Sequence, residues 1–549
     1  MWRCIIPPVN MGTRAARIKT AKTSSGHDKM AEMAQQIDQL AAKNADLEER
    51  LVLMQEQCNR LLSMLYGRKS EKRPIPETSP LQPSLFGASD SVAQATEIKS
   101  TIPPEKRRKN RKRGRRPLSD KLPRIEVILD VPENDRVCAC GRECDEIGRE
   151  VTERLDIIPA QIQVVRTIRI KRACRGCEGS EDPTRGAVRI APLPPQIIPQ
   201  GIVTPGLLAH VIIAKYADAL PLYRQETQFQ RMGADICRGT LAKWVLRVAV
   251  ACHTLYALLL DEVRSGPVIN MDETPVQVLN EPGRANTTKS YMWVCRGGPP
   301  GHPAVVFHYH PTRSGRVADF LLGSYVGYLQ TDGYVGYETV GKRAGITHLG
   351  CMAHVRRKFI AVQDSAGCTT RGVAASILDL IGELYGVERD ARDRGLDFAG
   401  IAGLRAEKSR PVLGKIKKLL DDTQPRCPPS SLLGTAINYA LDMWPRLEVY
   451  LDFGFLNIDN NIAENAIRPF AVGRKNWLFA GSPGGAEASA IMFSIIETAK
   501  ANGLEPYSYL RHLFTQLPLA SSKEEIRALL PQFVDREHIH QAKDRSAAA

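Results

Sequence analysis

The chain has 549 residues, too many for a single hydrophobic core, so three or four domains are expected. Its apolar content of 43% is enough for globular packing and argues against a disordered chain. The net charge of +15 and the pI near 9.2 favour a polyanionic partner. No uninterrupted apolar run reaches about 18 residues, which argues against a membrane span. Thirteen cysteines in a chain of this size do not indicate a disulfide framework, and a reducing cytoplasm fits them best.

Residues 1–29 are basic and carry no periodic pattern. A transit peptide can have this composition. Periodic sequence begins only near Met30, so an unstructured tail is the favoured interpretation.

A heptad repeat occupies residues 30–66. Its apolar positions are separated by alternating steps of three and four, with Leu51 at an a position and Leu47 at a d position. Asn44 lies at another a position, and a single polar residue there is typical of parallel dimers. The pattern predicts a coiled coil that joins two or more copies of the chain. A single amphipathic helix packed on the protein's own core is the alternative.

Residues 67–125 are rich in Pro and Ser and are predicted to be a linker. The linker contains a basic arm that ends in Arg113-Gly114-Arg115-Arg116-Pro117. This arm resembles an AT-hook, which lays an Arg-Gly-Arg core in a narrow minor groove, although one extra Arg precedes the proline. An arm that contacts only phosphates is the alternative.

A zinc-binding module is expected over residues 126–200. Five cysteines lie there in two groups separated by a segment with strand character: Cys138, Cys140, Cys144, Cys174 and Cys177. Two pairs of thiolates joined by strands are what a tetrahedral zinc ribbon requires. Cys174, Cys177 and Cys140 are the firmest ligands, and the fourth is Cys138 or Cys144. Chance clustering of free thiols is the alternative.

The stretch 201–262 is helical in pattern. A short helix from Tyr223 to Arg231, a turn at Met232 to Asp235, and a second helix from Ile236 to Val248 are typical of a helix-turn-helix. Three residues of the second helix would face DNA (Arg238, Thr240 and Lys243), and three would face inward (Leu241, Trp244 and Val245). A plain helical hairpin is the alternative.

A strand-rich catalytic domain is predicted over residues 263–360 and 456–505. Its predicted strands are Pro267 to Met271, Tyr291 to Cys295, Ala304 to Tyr309, Tyr325 to Thr331 and Gly345 to Cys351. Three early strands, a fourth strand and further alternation with helices are typical of an RNase H-like α/β sheet. In that fold one carboxylate lies on the first strand and a second at the end of the fourth, which is where Asp272 and Asp332 fall.

The third acidic candidate is Glu464, which lies early in a helical segment that Asp459-Asn460-Asn461 can cap. A carboxylate near a helix N-terminus is also favoured by the helix dipole alone. Glu273 and Asp459 are possible substitutes. Residues 361–455 are predicted to be an all-α insertion in the sheet domain, and residues 506–549 a C-terminal tail.

Carboxylates that meet from strand ends and a facing helix can hold two divalent metal ions. Mg²⁺ prefers hard oxygen ligands, and Mn²⁺ can occupy the same sites. Such a pair activates a water or a 3′-hydroxyl and stabilises the leaving oxygen of a phosphodiester. Together with the basic charge, this pattern indicates an enzyme that cuts and joins DNA.

Five sequence blocks resemble the DDE transposases of bacterial insertion sequences, in particular the family numbered sixty-six (its third, transposase-encoding reading frame). The blocks are Met271-Asp272-Glu273-Thr274-Pro275, Leu329-Gln330-Thr331-Asp332-Gly333-Tyr334, Gly350-Cys351-Met352-Ala353-His354-Val355-Arg356-Arg357-Lys358-Phe359, Asp459-Asn460-Asn461-Ile462-Ala463-Glu464-Asn465-Ala466-Ile467-Arg468-Pro469 and Gly473-Arg474-Lys475-Asn476-Trp477-Leu478-Phe479-Ala480-Gly481-Ser482. The resemblance covers roughly residues 30–531. It departs at the first cysteine group, where the spacing is altered.

The resemblance implies that Asp272, Asp332 and Glu464 are the metal ligands. It also implies a Cys-x-x-His signature, Cys351 and His354, which organises the core or contacts the DNA end. A buried Cys and a hydrogen-bonded His are the structural alternative.

A further set of basic and aromatic residues is suited to DNA. It comprises Arg356, Arg357, Lys358, Arg468, Arg474, Lys475 and Trp477. Trp477 could equally be a core residue.

The expected fold is therefore a multidomain α/β protein with an N-terminal coiled coil, a small zinc-ribbon-like module, a helix-turn-helix region and an RNase H-like catalytic domain with an all-α insertion. The expected function is a transposase that binds element ends and target as double-stranded DNA, with Mg²⁺ or Mn²⁺ for catalysis and a structural Zn²⁺. The expected location is the bacterial cytoplasm, at the nucleoid. The expected partners are further copies of the chain and accessory proteins of the same element, with no membrane. A non-catalytic DNA-binding regulator or domesticated remnant and a structure-selective nuclease are the alternatives.

Overall fold

The computed structural model describes residues 161–173, 188–365 and 372–537, together with positions 33, 35–40, 43, 54 and 539. The basic arm with Arg113, Arg115 and Arg116 lies outside the described residues. So do the five zinc candidates, Cys138, Cys140, Cys144, Cys174 and Cys177. In the heptad region the described positions are helical, and the apolar side chains of Met33, Ile37, Leu40 and Met54 are 61 to 65% exposed.

Strands form two separate sheets in the described chain. The smaller sheet pairs β1 (Lys171–Ala173) with β2 (Val188–Ile190) in antiparallel fashion. The larger sheet has six strands: β3 (Val268–Val278), β4 (Lys289–Gly297), β5 (Ala304–His310), β6 (Gly327–Gln330), β7 (Ile346–Leu349) and β8 (Phe479–Ala480). Its order is β5-β4-β3-β6-β7, with β8 beside the far end of β3. The β4 strand is antiparallel to both β3 and β5, whereas β6, β7 and β8 run parallel to the strands with which they pair.

The first strand of the large sheet is longer than predicted. The sequence places its end at Met271, but β3 continues to Val278 because β4 pairs with it from Asn270 to Gln277. The extension includes Pro275, a residue that normally argues against a strand interior. Pro275 lies between the segments of β3 that pair with β6 and β8, so its missing N–H removes no bond to either strand. Asp272 therefore lies inside a strand rather than after one.

Fifteen α-helices have defined bounds in the described chain. They are α1 (Pro205–Tyr216), α2 (Leu222–Arg231), α3 (Arg238–Ala251), α4 (His253–Arg264), α5 (Gly315–Leu322), α6 (Glu338–Gly341), α7 (Met352–Ser365), α8 (Val373–Asp393), α9 (Phe398–Leu404), α10 (Arg410–Thr423), α11 (Leu432–Leu447), α12 (Asn461–Trp477), α13 (Pro483–Ala501), α14 (Pro506–Gln516) and α15 (Lys523–Ala528). A π-helical turn, Arg405–Ser409, joins α9 to α10.

The helices α2 and α3 form the predicted hairpin, and Gly233 supplies the positive φ of 83° that its turn requires. The second helix begins at Arg238, two residues later than predicted, because Cys237 is still extended. Leu241, Trp244 and Val245 are buried, as the pattern predicts.

No single helix among the residues with described coordinates is long and apolar enough to cross a bilayer. The pair α3 and α4, bent by 55°, reaches the required length and composition only when both helices are counted. Leu241, Val248, Leu255 and Leu259 of this pair are 0% exposed, so protein covers their apolar face.

The outer edge of the large sheet is closed by helix α13. β5 is an edge strand, and its free N–H and C=O groups need partners. Ser494 accepts a hydrogen bond from the Phe307 N–H at 2.8 Å, and Thr498 accepts one from the Val305 N–H at 3.0 Å. Thr498 also donates to the Val305 carbonyl at 3.0 Å. Two short hydroxyl side chains on one helix face thus replace a neighbouring strand.

The segment between β7 and α12 forms a second, helical core. Buried apolar residues of α8, α10 and α11 pack together with Val355 and Phe359 of α7 and with Leu349 at the end of β7. The helical core is therefore continuous with the end of the sheet that carries the predicted site.

Arg405 ties this helical core together. Its guanidinium is 2% exposed and donates to both carboxylate oxygens of Glu388, at 2.8 and 2.7 Å. It also donates to the carbonyls of Tyr450, Phe453 and Leu456, at 2.7 to 2.9 Å. The buried Arg405 guanidinium therefore supplies hydrogen-bond donors to three backbone carbonyls in the segment that leads from α11 to α12.

Arg405→Met is expected to reduce the free energy of unfolding by about 3–5 kcal/mol, because it leaves the Glu388 carboxylate and three carbonyls without their buried partner. Urea unfolding followed by circular dichroism measures the change. Arg394→Met, which removes an exposed i,i+4 pair with Asp390, is the control and should change stability by less than about 0.5 kcal/mol. Equal effects of the two substitutions would contradict the role given to Arg405.

Residues 506–537, assigned to a C-terminal tail from the sequence, include the helices α14 and α15. Tyr509, Leu510, Leu513 and Phe514 of α14 are buried at helical spacing, and α14 packs against α1. The apolar spacing that predicts such a helix is present in the sequence. Residues 506–537 therefore form packed helices and not the predicted C-terminal tail.

Candidate active site

Asp272 and Asp332 are brought together by two neighbouring parallel strands. The register pairs Asn270 of β3 with Gln330 of β6, and the Asn270 side chain donates to Gln330 Oε1 at 2.9 Å. Each aspartate lies two residues beyond one member of this pair, and parallel neighbours are about 4.8 Å apart. Asp332 follows the end of β6 at Gln330, and its carboxylate lies near enough to Asp272 to contribute to the raised pKa of that residue.

The helix that carries Glu464 is fixed to the sheet by Asn460. The Asn460 side chain is buried, donates to the Met271 carbonyl at 2.8 Å and accepts from Asn270 Nδ2 at 3.0 Å. The sequence predicts that residues 459–461 cap α12. Asn460 is indeed at the N-cap position, but its side chain makes no capping bond because the sheet uses it. The beginning of α12 is therefore tied directly to the strand that carries Asp272.

Glu464 lies one turn into α12, and its carboxylate is near enough to Asp272 to contribute to the raised pKa of that residue. One of its oxygens, Oε2, accepts a hydrogen bond from Arg357 of α7. The other, Oε1, is buried and has no hydrogen-bond partner, and it lies 3.7 Å from His354 Nδ1. A buried carboxylate oxygen without a partner is costly, which indicates that this position is suited to a cation or a proton.

The raised pKa of Asp272 also indicates a site suited to a cation or a proton. Burial is the main cause that raises the pKa of Asp272 to about 7. The nearby carboxylates of Glu273, Asp332 and Glu464 contribute to the rise, and the hydrogen bond from the Glu273 N–H opposes it. Like charges held this close resist ionisation unless a cation joins them. The oxygen-only donor set of Asp272, Asp332 and Glu464, with one orphaned oxygen, fits a hard divalent cation.

The raised pKa of Asp272 leads to a prediction about pH. Between about pH 4 and 7 the folded protein holds a proton that the unfolded chain has released, so the stability of the metal-free protein falls as pH rises through this window. A metal ion needs the carboxylate and competes with that proton. Mn²⁺ affinity measured by calorimetry is therefore expected to be about tenfold weaker at pH 6 than at pH 8, with proton release at pH 6. Identical affinities at the two pH values would contradict the assignment.

Cys351 and His354 lie beside Glu464, and one ligand atom from each of the three side chains falls within 4.8 Å of the others. Arg357 Nη1 contacts His354 Nε2 at 3.1 Å, and a guanidinium can only donate, so Nε2 is the acceptor. A neutral imidazole then carries its proton on Nδ1, toward Glu464. A metal ion at these three side chains would need Nδ1 without its proton, so the observed contacts favour an orienting role for His354.

The buried Cys351 is a structural thiol in this arrangement. Its Sγ accepts a hydrogen bond from the Asn460 N–H at 3.2 Å, and burial raises its pKa to about 12. Cys351 thus supports the same loop that positions α12.

The residues predicted to bind DNA occupy different surroundings. Arg238, Lys243, Arg356 and Arg468 are exposed. Lys358 lies over the Tyr439 ring, 4.5 Å from its centroid.

Arg357 is directed at Glu464 rather than outward, and Arg474 donates to Thr274 Oγ1 at 3.0 Å. Trp477 packs edge-on against Phe470, with ring centroids 5.4 Å apart, which supports the interpretation of Trp477 as a packing residue.

The two substitute carboxylates have other partners. Asp459 accepts hydrogen bonds from Tyr385 Oη at 2.7 Å and from the Asn461 side chain at 2.6 Å. Glu273 follows Asp272 directly on a strand, so it points to the opposite face, where it pairs with Arg313. Neither joins the cluster of Asp272, Asp332 and Glu464.

The sequence analysis missed Asn270 and Gln330, which join the two strands below the aspartates. A signal for them exists: each is a polar residue two positions before an aspartate, in an otherwise apolar run. Polar residues repeating at a spacing of two on one strand indicate a polar face.

Comparison with known families matches most of the chain. The family described as "Transposase IS66 family" matches residues 200–488, more than half of the chain. "IS66 C-terminal element" matches residues 494–532. "Zinc-finger binding domain of transposase IS66" matches residues 135–178, which include all five candidate cysteines. "Transposase C of IS166 homeodomain" matches residues 53–127. These matches support a structural zinc and DNA-binding modules.

Similar proteins occur in Sinorhizobium fredii (strain NBRC 101917 / NGR234). The uncharacterized protein y4jD is 35% identical over 428 residues, covering 75% of this chain and 81% of the relative. The uncharacterized protein y4qI is 31% identical over 533 residues, covering 94% of this chain and 96% of the relative. On the extent of these matches, the chain belongs to the IS66 family of transposases.

Proposed function

We propose that this transposase is a DDE enzyme in which Asp272, Asp332 and Glu464 hold a pair of divalent metal ions, Mg²⁺ or Mn²⁺. The proposal is supported by the electrostatic influence of Asp332, after β6, and of Glu464, in the first turn of α12, on Asp272 of β3. The reaction is cleavage at the ends of the element followed by transfer of the 3′-hydroxyls to target DNA.

The chain's own residues would hold the reacting groups in place. When bound, two metal ions supply activation of the attacking hydroxyl and stabilisation of the leaving oxygen. Asp272 and Asp332 offer oxygen ligands from neighbouring strands, whose spacing is fixed by backbone hydrogen bonds. Glu464 offers the third from a helix that Asn460 anchors. Arg357 neutralises part of the negative charge and is available to a DNA phosphate.

We also propose that the large sheet is RNase H-like. Three antiparallel strands, then α5, then the parallel β6 and β7, follow the order expected for that fold. The long helical segment before α12 corresponds to the proposed insertion.

The remaining modules are proposed to bind DNA and to join chains. The exposed apolar positions Met33, Ile37 and Leu40 support the coiled coil, because a partner helix would cover them. The basic arm would follow the minor groove. We propose the nucleoid as the place of action and accessory proteins of the same element as further partners.

Arg238 and Lys243 lie exposed on α3, the second helix of the α2–α3 hairpin, and we propose this helix as a major-groove reader. Arg238→Ala is expected to weaken binding to the element's ends by about 1–3 kcal/mol if it contacts a base. Lys243→Ala should weaken binding to all sequences and lower the salt dependence by about one unit. Fluorescence anisotropy at several salt concentrations measures both effects. Lys523→Ala, on an exposed position of α15, is the charge-matched control. Unchanged binding in both α3 variants would contradict this reading.

Strand transfer separates the proposal from its alternatives. A regulator or remnant would bind the ends without any metal-dependent chemistry, and a nuclease would cleave without joining. A labelled element end incubated with Mg²⁺ and a target plasmid distinguishes the three outcomes.

A further inference from the structure

Glu273, the residue after Asp272 on β3, forms a cluster with Arg313 and Tyr337. The Glu273 side chain is 1% exposed and accepts hydrogen bonds from Arg313 Nε at 2.6 Å and from the Tyr337 hydroxyl. Burial raises the pKa of Glu273, and its two donors oppose that effect. Arg313 lies before α5 and Tyr337 lies after β6, so one strand residue holds two separate segments.

Both segments border Asp332. Tyr337 ends the short 3₁₀ turn Val335–Tyr337, which follows Asp332 directly. Within the same loop the Tyr334 N–H donates to Asp332 Oδ1 at 3.0 Å. The Tyr334 hydroxyl donates to the Arg313 carbonyl at 2.6 Å, and the Arg313 guanidinium lies 3.5 Å from the centre of the Tyr334 ring. Asp332 thus stands on a loop whose attachments lead back to Glu273.

Two glycines of this loop lie close against tyrosine rings. A Cβ added at Gly336 would lie 2.2 Å from the Tyr334 ring, and one added at Gly333 would lie 2.6 Å from the Tyr439 ring. Such close approaches require glycine at both positions. The loop is therefore packed against the rings of its own Tyr334 and of Tyr439 from α11, and Tyr337 at its end is hydrogen-bonded to Glu273.

We propose that Glu273 is a positioning residue that sets the Asp332 carboxylate, acting through Tyr337 and Arg313 rather than as a metal ligand. The inference rests on the proposed metal site of Asp272, Asp332 and Glu464. Two adjacent residues of β3 then have different roles. Asp272 binds the metal, and Glu273 acts as a clamp, meaning that it holds in place the loop after β6 that carries Asp332. Residues that orient metal ligands typically change metal affinity by about 10–100-fold when they are removed.

The test measures Mn²⁺ bound to the full-length, zinc-loaded protein by electron paramagnetic resonance of the free ion. Tyr337→Phe and Arg313→Gln are each expected to weaken Mn²⁺ binding by about tenfold or more, with the number of bound ions unchanged. Glu273→Gln should do the same, and combining it with Tyr337→Phe should add little because both act through one contact. Tyr309→Phe is the matched control, since the hydroxyl of Tyr309 on β5 donates to the buried carboxylate of Glu281, in the connection between β3 and β4. It should leave the affinity unchanged.

Hydrogen exchange provides a readout that does not depend on metal. Amides of residues 333–337 are expected to exchange faster in Glu273→Gln and Tyr337→Phe than in the wild type or in Tyr309→Phe. Loss of a bound ion in Glu273→Gln, with wild-type affinity in Tyr337→Phe and Arg313→Gln, would overturn the proposal by making Glu273 a ligand. Unchanged exchange in both clamp variants would also overturn it. If the wild type binds no Mn²⁺ but residues 333–337 still exchange faster in the two variants, the metal site is refuted, whereas the support of the loop by Glu273 stands.

Discussion

Asp332→Asn is expected to reduce strand transfer by at least about 10³-fold, since removing even one electrostatic stabiliser of a transition state costs about 10²–10³ in rate. The change removes one negative charge from a site where the neighbouring carboxylates of Asp272 and Glu464 must bind cations together. Asn keeps the shape of the side chain and can still accept the hydrogen bond from the Tyr334 N–H, so the fold and DNA binding should be retained. Single-turnover cleavage and joining of labelled element ends measure the loss.

Asp261→Asn is the control for this substitution, because the Asp261 side chain is 69% exposed on α4, where it pairs with Arg264 at 3.5 Å. It should behave as the wild type. Substantial joining by Asp332→Asn, at more than about a tenth of the wild-type rate, would exclude Asp332 as an essential ligand.

Asn460→Ala is expected to lower the rate of strand transfer by about 10²-fold, although Asn460 contacts neither metal nor DNA in this account. The substitution removes both hydrogen bonds that tie the start of α12 to β3 and leaves the Asn270 amide and the Met271 carbonyl short of a partner. A shift of about 1 Å in Glu464 is enough for a loss of this size. The buried unsatisfied groups should also lower the free energy of unfolding by about 1–3 kcal/mol.

The neighbouring Asn461→Ala provides the matched control. Asn461 is exposed, and its side chain contacts Asp459 at 2.6 Å rather than the sheet. Its loss should change stability by less than about 0.5 kcal/mol and leave the rate near wild type. Equal loss of activity in the two variants would show that the bridge from Asn460 to β3 is not what positions Glu464.

Local patterns in the sequence account for a large part of the sheet. The apolar runs around Ile269, Val294 and Val306 predict β3, β4 and β5, because strands buried on both faces need such residues at successive positions. The end of β3 is not predictable in this way. Pro275 reads locally as a strand breaker, and only pairing with β4 and the distant β8 keeps the chain extended to Val278.

The candidate site divides in a similar way. Asp272, Asp332 and Glu464 stand out through their positions after or within recognisable elements and through the family resemblance. Their supporting contacts depend on chain segments far apart in sequence, such as Asn270 with Asn460 and Glu273 with Tyr337. No local periodicity reports these pairings. The direction of Arg357 likewise follows from its ion pair with Glu464, 107 positions later in the chain, and not from the basic character of its segment.

The measurement that tests the central claim most directly is strand transfer by the full-length protein, with a pre-cut element end that carries a free 3′-hydroxyl, a plasmid target and Mg²⁺. If the three carboxylates hold the catalytic metal ions, we expect joined products that form with Mg²⁺ and disappear with a chelator. These products should be absent in Asp272→Asn, Asp332→Asn and Glu464→Gln. Tight binding of the element end without joining, in the presence of the proteins encoded by the same element, would contradict the account and favour a DNA-binding regulator.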